Sequence, residues 1–293
     1  MTGGLTLVLG GGGFKGVAHL GVLRVLQENG VPIERVVGTS VGALVGASYC
    51  SLRDAEQTHA LFMNFLESEG FRAHRFVGLR QRVGRVPIMR RLVHGIRRQV
   101  ALERMFRRSS AFGNTALRHI VRSIVPRGEI ADLPLPLAIG ALDLISGEEM
   151  LLTAGDLGAA VMASSAVPGF FPPVEWEGRL LCDAGIVNNL PTHLARRLGG
   201  RNVVAVDLSA GLGHCRDDAA GMEILLRAQD ISTRIANRRW AEAADVVLAP
   251  DLGGRHWLDT TNLPAVVELG AAAARQGLPQ ILELLRSNTR AAS

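Results

Sequence analysis

The chain has 293 residues, of which 47% are hydrophobic and 20% charged, with a formal net charge of +5. That balance excludes a disordered chain and suits a globular one with a sizeable core. The net charge hides an asymmetry: residues 71–127 hold fifteen arginines and one acid, Glu103, a local +14 that leaves −9 for the rest of the chain.

Leu5–Leu9 is predicted as a first strand. It lacks the basic flank of a signal peptide, and no segment reaches about 18 uninterrupted apolar residues. A glycine run, Gly10–Gly13, leads into a helix over Val17–Glu28 that Asn29-Gly30 closes. A second strand is centred on Val36-Val37, and residues 54–69 read as helix. The basic segment 71–127 reads as helices and loops. A strand is predicted over Leu135–Leu144 and a helix over Ala159–Ser165. Val174–Trp176 and Arg179–Leu181 flank Glu177-Gly178 as a hairpin. Val203–Asp207 and Val246–Leu248 are further short strands, and Leu278–Arg286 a closing helix. Strands alternating with helices indicate an α/β fold. Without a linker or repeat, residues 1–293 are expected to form one domain, with 71–127 as an arginine-rich insertion. The cysteines, Cys50, Cys182 and Cys215, are odd in number and lack metal-ligand spacing, which suits reduced packing residues in a cytoplasmic protein.

Ser40 lies in Gly38-Thr39-Ser40-Val41-Gly42, directly after the second strand and before a run of small residues. In a strand–turn–helix setting, glycines on both sides allow a sharp turn that lifts the hydroxyl clear of the sheet. The helix that follows places its positive end there. A serine hydroxyl needs a base and a home for the oxyanion, so the rest of the chain must supply both.

Gly10–Gly16 is a strand-to-helix loop rich in unhindered amides, a setting that cradles anions. It also fits Gly11-x-Gly13-x-x-Gly16, the dinucleotide fingerprint. That fingerprint wants an acid at the end of the second strand, where this chain has Gly38-Thr39-Ser40. Lys15 is followed by glycine, which excludes a Walker loop. Lys15 is the single lysine of the chain, and its place in the glycine loop favours a functional role over composition bias.

None of the eight histidines sits where a triad partner would be expected, and His193 reads as the first turn of a surface helix. Only two strands precede the serine, against several in the α/β-hydrolase order. Asp183, in Asp183-Ala184-Gly185 after the hairpin, is the better base, although such an aspartate also serves as a turn or cap residue.

Gly11-Gly12-Gly13-Phe14-Lys15-Gly16, Gly38-Thr39-Ser40-Val41-Gly42 and Asp183-Ala184-Gly185 together resemble the patatin-like phospholipase family. The block from Ala163 to Pro173 and the run Asn188-Asn189-Leu190-Pro191 add to the resemblance, which extends from Leu5 to about Pro250. It implies a three-layer α/β/α fold with a mostly parallel central sheet and a Ser–Asp dyad that hydrolyses lipid acyl esters without histidine. Ser40 is then the nucleophile and Asp183 the base. The amides of Gly11, Gly12 and Gly13 form the oxyanion hole, with Lys15 at the family's Lys/Arg position. No cofactor or metal is implied, and the substrate is a phospholipid or lysophospholipid.

One departure stands out: the family has Asp-Gly-Gly or Asp-Gly-Ala where this chain has Ala184 in the middle. If that position needed a positive φ, alanine would cost about 1–2 kcal/mol, and Gly185 is expected to absorb the geometry. The departure keeps open a second class, a catalytically weak regulatory or binding relative. The basic segment is expected to touch anionic membrane peripherally at the inner surface; a solvated cap or an oligomer interface is the alternative. Nucleic acid is not expected, since no recognisable binding module accompanies the charge.

Overall fold

The computed structural model describes residues 4–69, 71, 113–209, 211–212 and 221–291. Residues 72–112, most of the basic segment, and Cys215 lie outside the described residues.

Strand β1 (Leu5–Leu9) runs parallel between β2 (Ile33–Thr39) and β7 (Val203–Val206). Outward from β2 come β3 (Leu137–Asp143), then β6 (Arg179–Cys182) and β5 (Val174–Trp176), with β4 (Glu149–Leu152) pairing β3. Beyond β7 lies β8 (Val246–Leu248). The β2, β1, β7 and β8 pairings and the β2–β3 pairing are parallel, while β4, β5 and β6 join antiparallel. The sheet is mixed and mostly parallel.

Period-two alternation along β1 divides the core. Leu5, Leu7 and Leu9 face α1 (Ala18–Glu28), α2 (Val41–Leu52) and α8 (Leu263–Ala291). Val8 faces the opposite layer, where it packs with Leu194 of α6 (Thr192–Arg197) and Trp240 of α7 (Gly221–Ala241). The result is a three-layer α/β/α arrangement. Helices α3 (Ala55–Glu67), α4 (Asn114–Ile124) and α5 (Leu157–Ser164) extend the first layer around α2. Asp54 and Asp156 cap α3 and α5 by accepting from Gln57 and Ala159 amides.

The hairpin forms at Glu177-Gly178, whose φ values of 48° and 77° suit the right-handed twist of its strands. The closing helix is much longer than the predicted Leu278–Arg286. It starts at Leu263 and continues through Pro279, since Val266, Val267, Ala271, Ala274 and Ile281 give it a continuous buried stripe. Burial there outweighs the hydrogen bond that proline removes.

Candidate active site

The parallel strands bring their carboxyl ends to one edge, and the chain turns there at Gly10 after β1 and at Ser40 after β2. Ser40 has φ 57° and ψ −124°, a conformation that costs a non-glycine residue about 1–3 kcal/mol. It is buried and stands at the amino end of α2. The flanking glycines are required by space. A Cβ at Gly42 would fall on the Leu9 carbonyl, and one at Gly38 would come 2.5 Å from the Gly42 oxygen. The turn is thereby pressed against the end of β1. Ser164 at the end of α5 locks it: its Oγ accepts the Ser40 N–H at 2.9 Å and donates to the Gly140 carbonyl at 2.6 Å.

Asp183 follows β6 and is 3% exposed. Its carboxylate accepts hydrogen bonds from the Ser40 side chain and, at 2.7 Å, from the Gly185 amide. Burial pushes its pKa from the ordinary 3.8 up to about 6, and both hydrogen bonds oppose that rise. The same carboxylate caps a 3-10 turn over Ala184–Ile186, so cap and site residue are one. Ala184 opens that turn and is not among the residues with positive φ, nor is Gly185. The alanine therefore carries no left-handed strain, and Gly185 has no unusual geometry to absorb. Space is again the requirement at Gly185: a Cβ would sit 2.8 Å from Asn189 Oδ1 and 3.0 Å from Asp183 Oδ1.

The glycine loop lies against Ser40: a Cβ at Gly11 would come 3.3 Å from Ser40 Cβ. Its peptides are held from behind. His19 Nε2 contacts the Gly10 carbonyl at 2.8 Å, and burial lowers the pKa of that imidazole to about 4, so it is neutral and donates. Gly11 N–H donates to the Asn189 carbonyl at 2.9 Å, while Asn189 Nδ2 donates to the Gly11 carbonyl at 3.0 Å. Lys15 N–H donates to the Gly12 carbonyl at 3.3 Å. The Gly11 amide is thus already engaged, which departs from the sequence-based oxyanion hole of all three glycines. The amides of Gly12 and Gly13 meet no acceptor among the described residues. Burial lowers the pKa of the half-buried Lys15, and the charges of Asp230 and Asp207 oppose that shift.

His193 stays apart from this edge. It bonds Glu149 at 2.9 Å and stacks on Trp240 with ring centroids 4.2 Å apart. Among the described residues no group of three or more His, Cys, Asp or Glu side chains could hold a metal ion. Sequence reasoning did not single out Ser164, His19 or the Asn189 side chain for these contacts. Their one available signal was that Ser164 and Asn189 fall inside the resemblance blocks.

The layered fold and a serine elbow joined to a buried aspartate define a class, the patatin-type α/β/α proteins. The family model of patatin-like phospholipases matches residues 7–196, and the chain belongs to that family. It is similar to an uncharacterized NTE family protein of Mycobacterium bovis, 30% identical over 96% of this chain and 48% of that protein. It is also similar to patatin-like phospholipase domain-containing protein 6 of Homo sapiens, 30% identical over 70% of this chain and 13% of that protein. The chain therefore spans about half the length of the mycobacterial relative and 13% of the human one. In fold it is similar to VipD from Legionella pneumophila, with a TM-score of 0.52 over 97% of this chain and 67% of that one, at 17% identity.

Proposed function

We propose that this chain hydrolyses carboxylic esters of phospholipids or lysophospholipids through Ser40 and Asp183 and an acyl-enzyme. The observation that carries the reading is the hydrogen bond between the Ser40 side chain and a buried carboxylate whose pKa lies near 6. At neutral pH that carboxylate is ionised, yet basic enough to accept a serine proton.

Asp183 takes the Ser40 proton as Oγ bonds to the ester carbonyl carbon and the carbonyl electron pair moves onto oxygen. The amides of Gly12 and Gly13 receive that oxyanion; one such donor contributes about 2.7–4 kcal/mol to transition-state stabilisation. When the pair returns, the bond to the leaving alcohol breaks, and Asp183 delivers the proton to it. Water then gives a proton to Asp183 and attacks the acyl-enzyme, and Ser40 leaves with that proton as the fatty acid is released. Every proton and electron pair is accounted for by Ser40, Asp183, ester and water.

Gly11 and Lys15 shape the loop in this reading without donating to the oxyanion. The alternative of a catalytically weak relative rested on a misaimed Asp183 beside Ala184, and Ala184 lies outside the positive-φ residues. The arginines of 71–127 support a peripheral contact with anionic lipid at the inner membrane surface. No helix among the described residues is long and apolar enough to cross a membrane.

Fatty-acid release from phosphatidylcholine vesicles, with and without phosphatidylglycerol, tests both parts. Wild-type protein should release fatty acid, faster with the anionic lipid, and Asp183→Asn should be slower by about 10²–10⁴-fold. Equal release by the Asp183→Asn variant would overturn the role of the aspartate.

A further inference from the structure

We infer that Asn189 is a positioning residue that aims the oxyanion-holding amide of Gly12 and ties it to the segment carrying Asp183. The inference rests on the ester-hydrolase reading above. In a trans peptide the carbonyl and the next N–H point in opposite directions within one plane, and no cis peptide occurs among the described residues. Whatever holds the Gly11 carbonyl therefore directs the Gly12 N–H. Asn189 Nδ2 is the side chain that holds it, at 3.0 Å.

The preceding peptide is pinned at both ends, its Gly10 carbonyl by His19 and its Gly11 N–H by the Asn189 carbonyl. It cannot rotate to offer Gly11 N–H to a substrate without losing both bonds. Asn189 thus consumes one glycine amide and points the next one away from itself. Its third polar atom, Oδ1, packs against Gly185, two residues from Asp183. One half-buried side chain thus spans the glycine loop and the Asp183 turn, and it sets donor and base in one frame. Glycine is needed on both sides, since a Cβ at Gly11 would fall on Asn189 Oδ1.

The test uses Asn189→Ala and the shape-retaining Asn189→Leu in the full chain. Turnover of p-nitrophenyl butyrate is compared with inhibition by an alkyl trifluoromethyl ketone, whose adduct with Ser40 carries the oxyanion. Both variants should lose about 10–10³-fold in kcat, the range of a lost or misaimed donor. KM and melting temperature should change little, and ketone affinity should weaken in step with kcat/KM. A kcat equal to that of the wild type in either folded variant overturns the inference. So does a loss spread evenly over KM, ketone affinity and melting temperature. If the wild type itself shows no turnover dependent on Ser40, the hydrolase reading fails instead.

Discussion

Asp183 holds the conflict on which the site turns. Its carboxyl is buried, and burial favours the proton it must give up to act as a base. With a folded pKa near 6 against about 3.8 unfolded, the native state binds the proton more tightly between those values. Stability therefore falls as pH rises from about 4 to about 6, by of order 1–3 kcal/mol at neutral pH. Activity moves the other way. The acid limb of kcat/KM should fall with an apparent pKa near 6, and Asp183→Asn should lose activity while gaining melting temperature at pH 7. That gain should vanish below pH 4, where the wild-type carboxyl is protonated in both states. An acid limb near pH 4, with no gain in the variant, would show that Asp183 is neither buried in this way nor the base. Ser40 adds to the same cost, since its φ of 57° is strained.

At the scale of elements, the site is a junction where β1, β2, α2 and the turn after β6 meet with almost no free volume. Gly42 allows the first turn of α2 to lie on the end of β1. Gly42→Ala should therefore force α2 away from the Leu9 carbonyl and destabilise the protein by about 2–3 kcal/mol, as overpacking does. Chemical denaturation checks this; a variant as stable as wild type would mean that the elbow is looser than described. The elbow was legible in the sequence because its requirements are local: glycines two residues either side of Ser40, after an apolar run. The hairpin was legible for the same reason, through Glu177-Gly178. The contacts of Asn189 and Ser164 were not legible, since each bonds backbone across the fold, 178 residues away for Asn189 and Gly11 and 124 for Ser164 and Ser40. His19 bonds the Gly10 carbonyl nine residues back, with no sequence motif to mark it. The true extent of α8 was hidden by Pro279, whose local penalty is outweighed by packing that only the folded layers supply. At Ala184 the family pattern left open a left-handed position, and the backbone there turns as a 3-10 segment without one.

At the scale of the whole molecule, the sheet separates two cores and gathers the chemistry along the carboxyl edge of its parallel strands. That arrangement brings a strained serine, a buried aspartate and the glycine loop together from three separate stretches of chain. The arginines of 71–127 lie in sequence between Ser40 and Asp183, where they put a strong positive charge on a chain whose remainder is negative. In the proposed reaction Ser40, activated by Asp183, is the nucleophile. Labelling with a fluorophosphonate, followed by mass mapping of the modified peptide, tests it most directly. The expected result is a single adduct on Ser40 in the wild type, absent from Ser40→Ala and formed far more slowly in Asp183→Asn. A folded wild-type protein that stays unlabelled, or carries its adduct on another residue, would contradict the account.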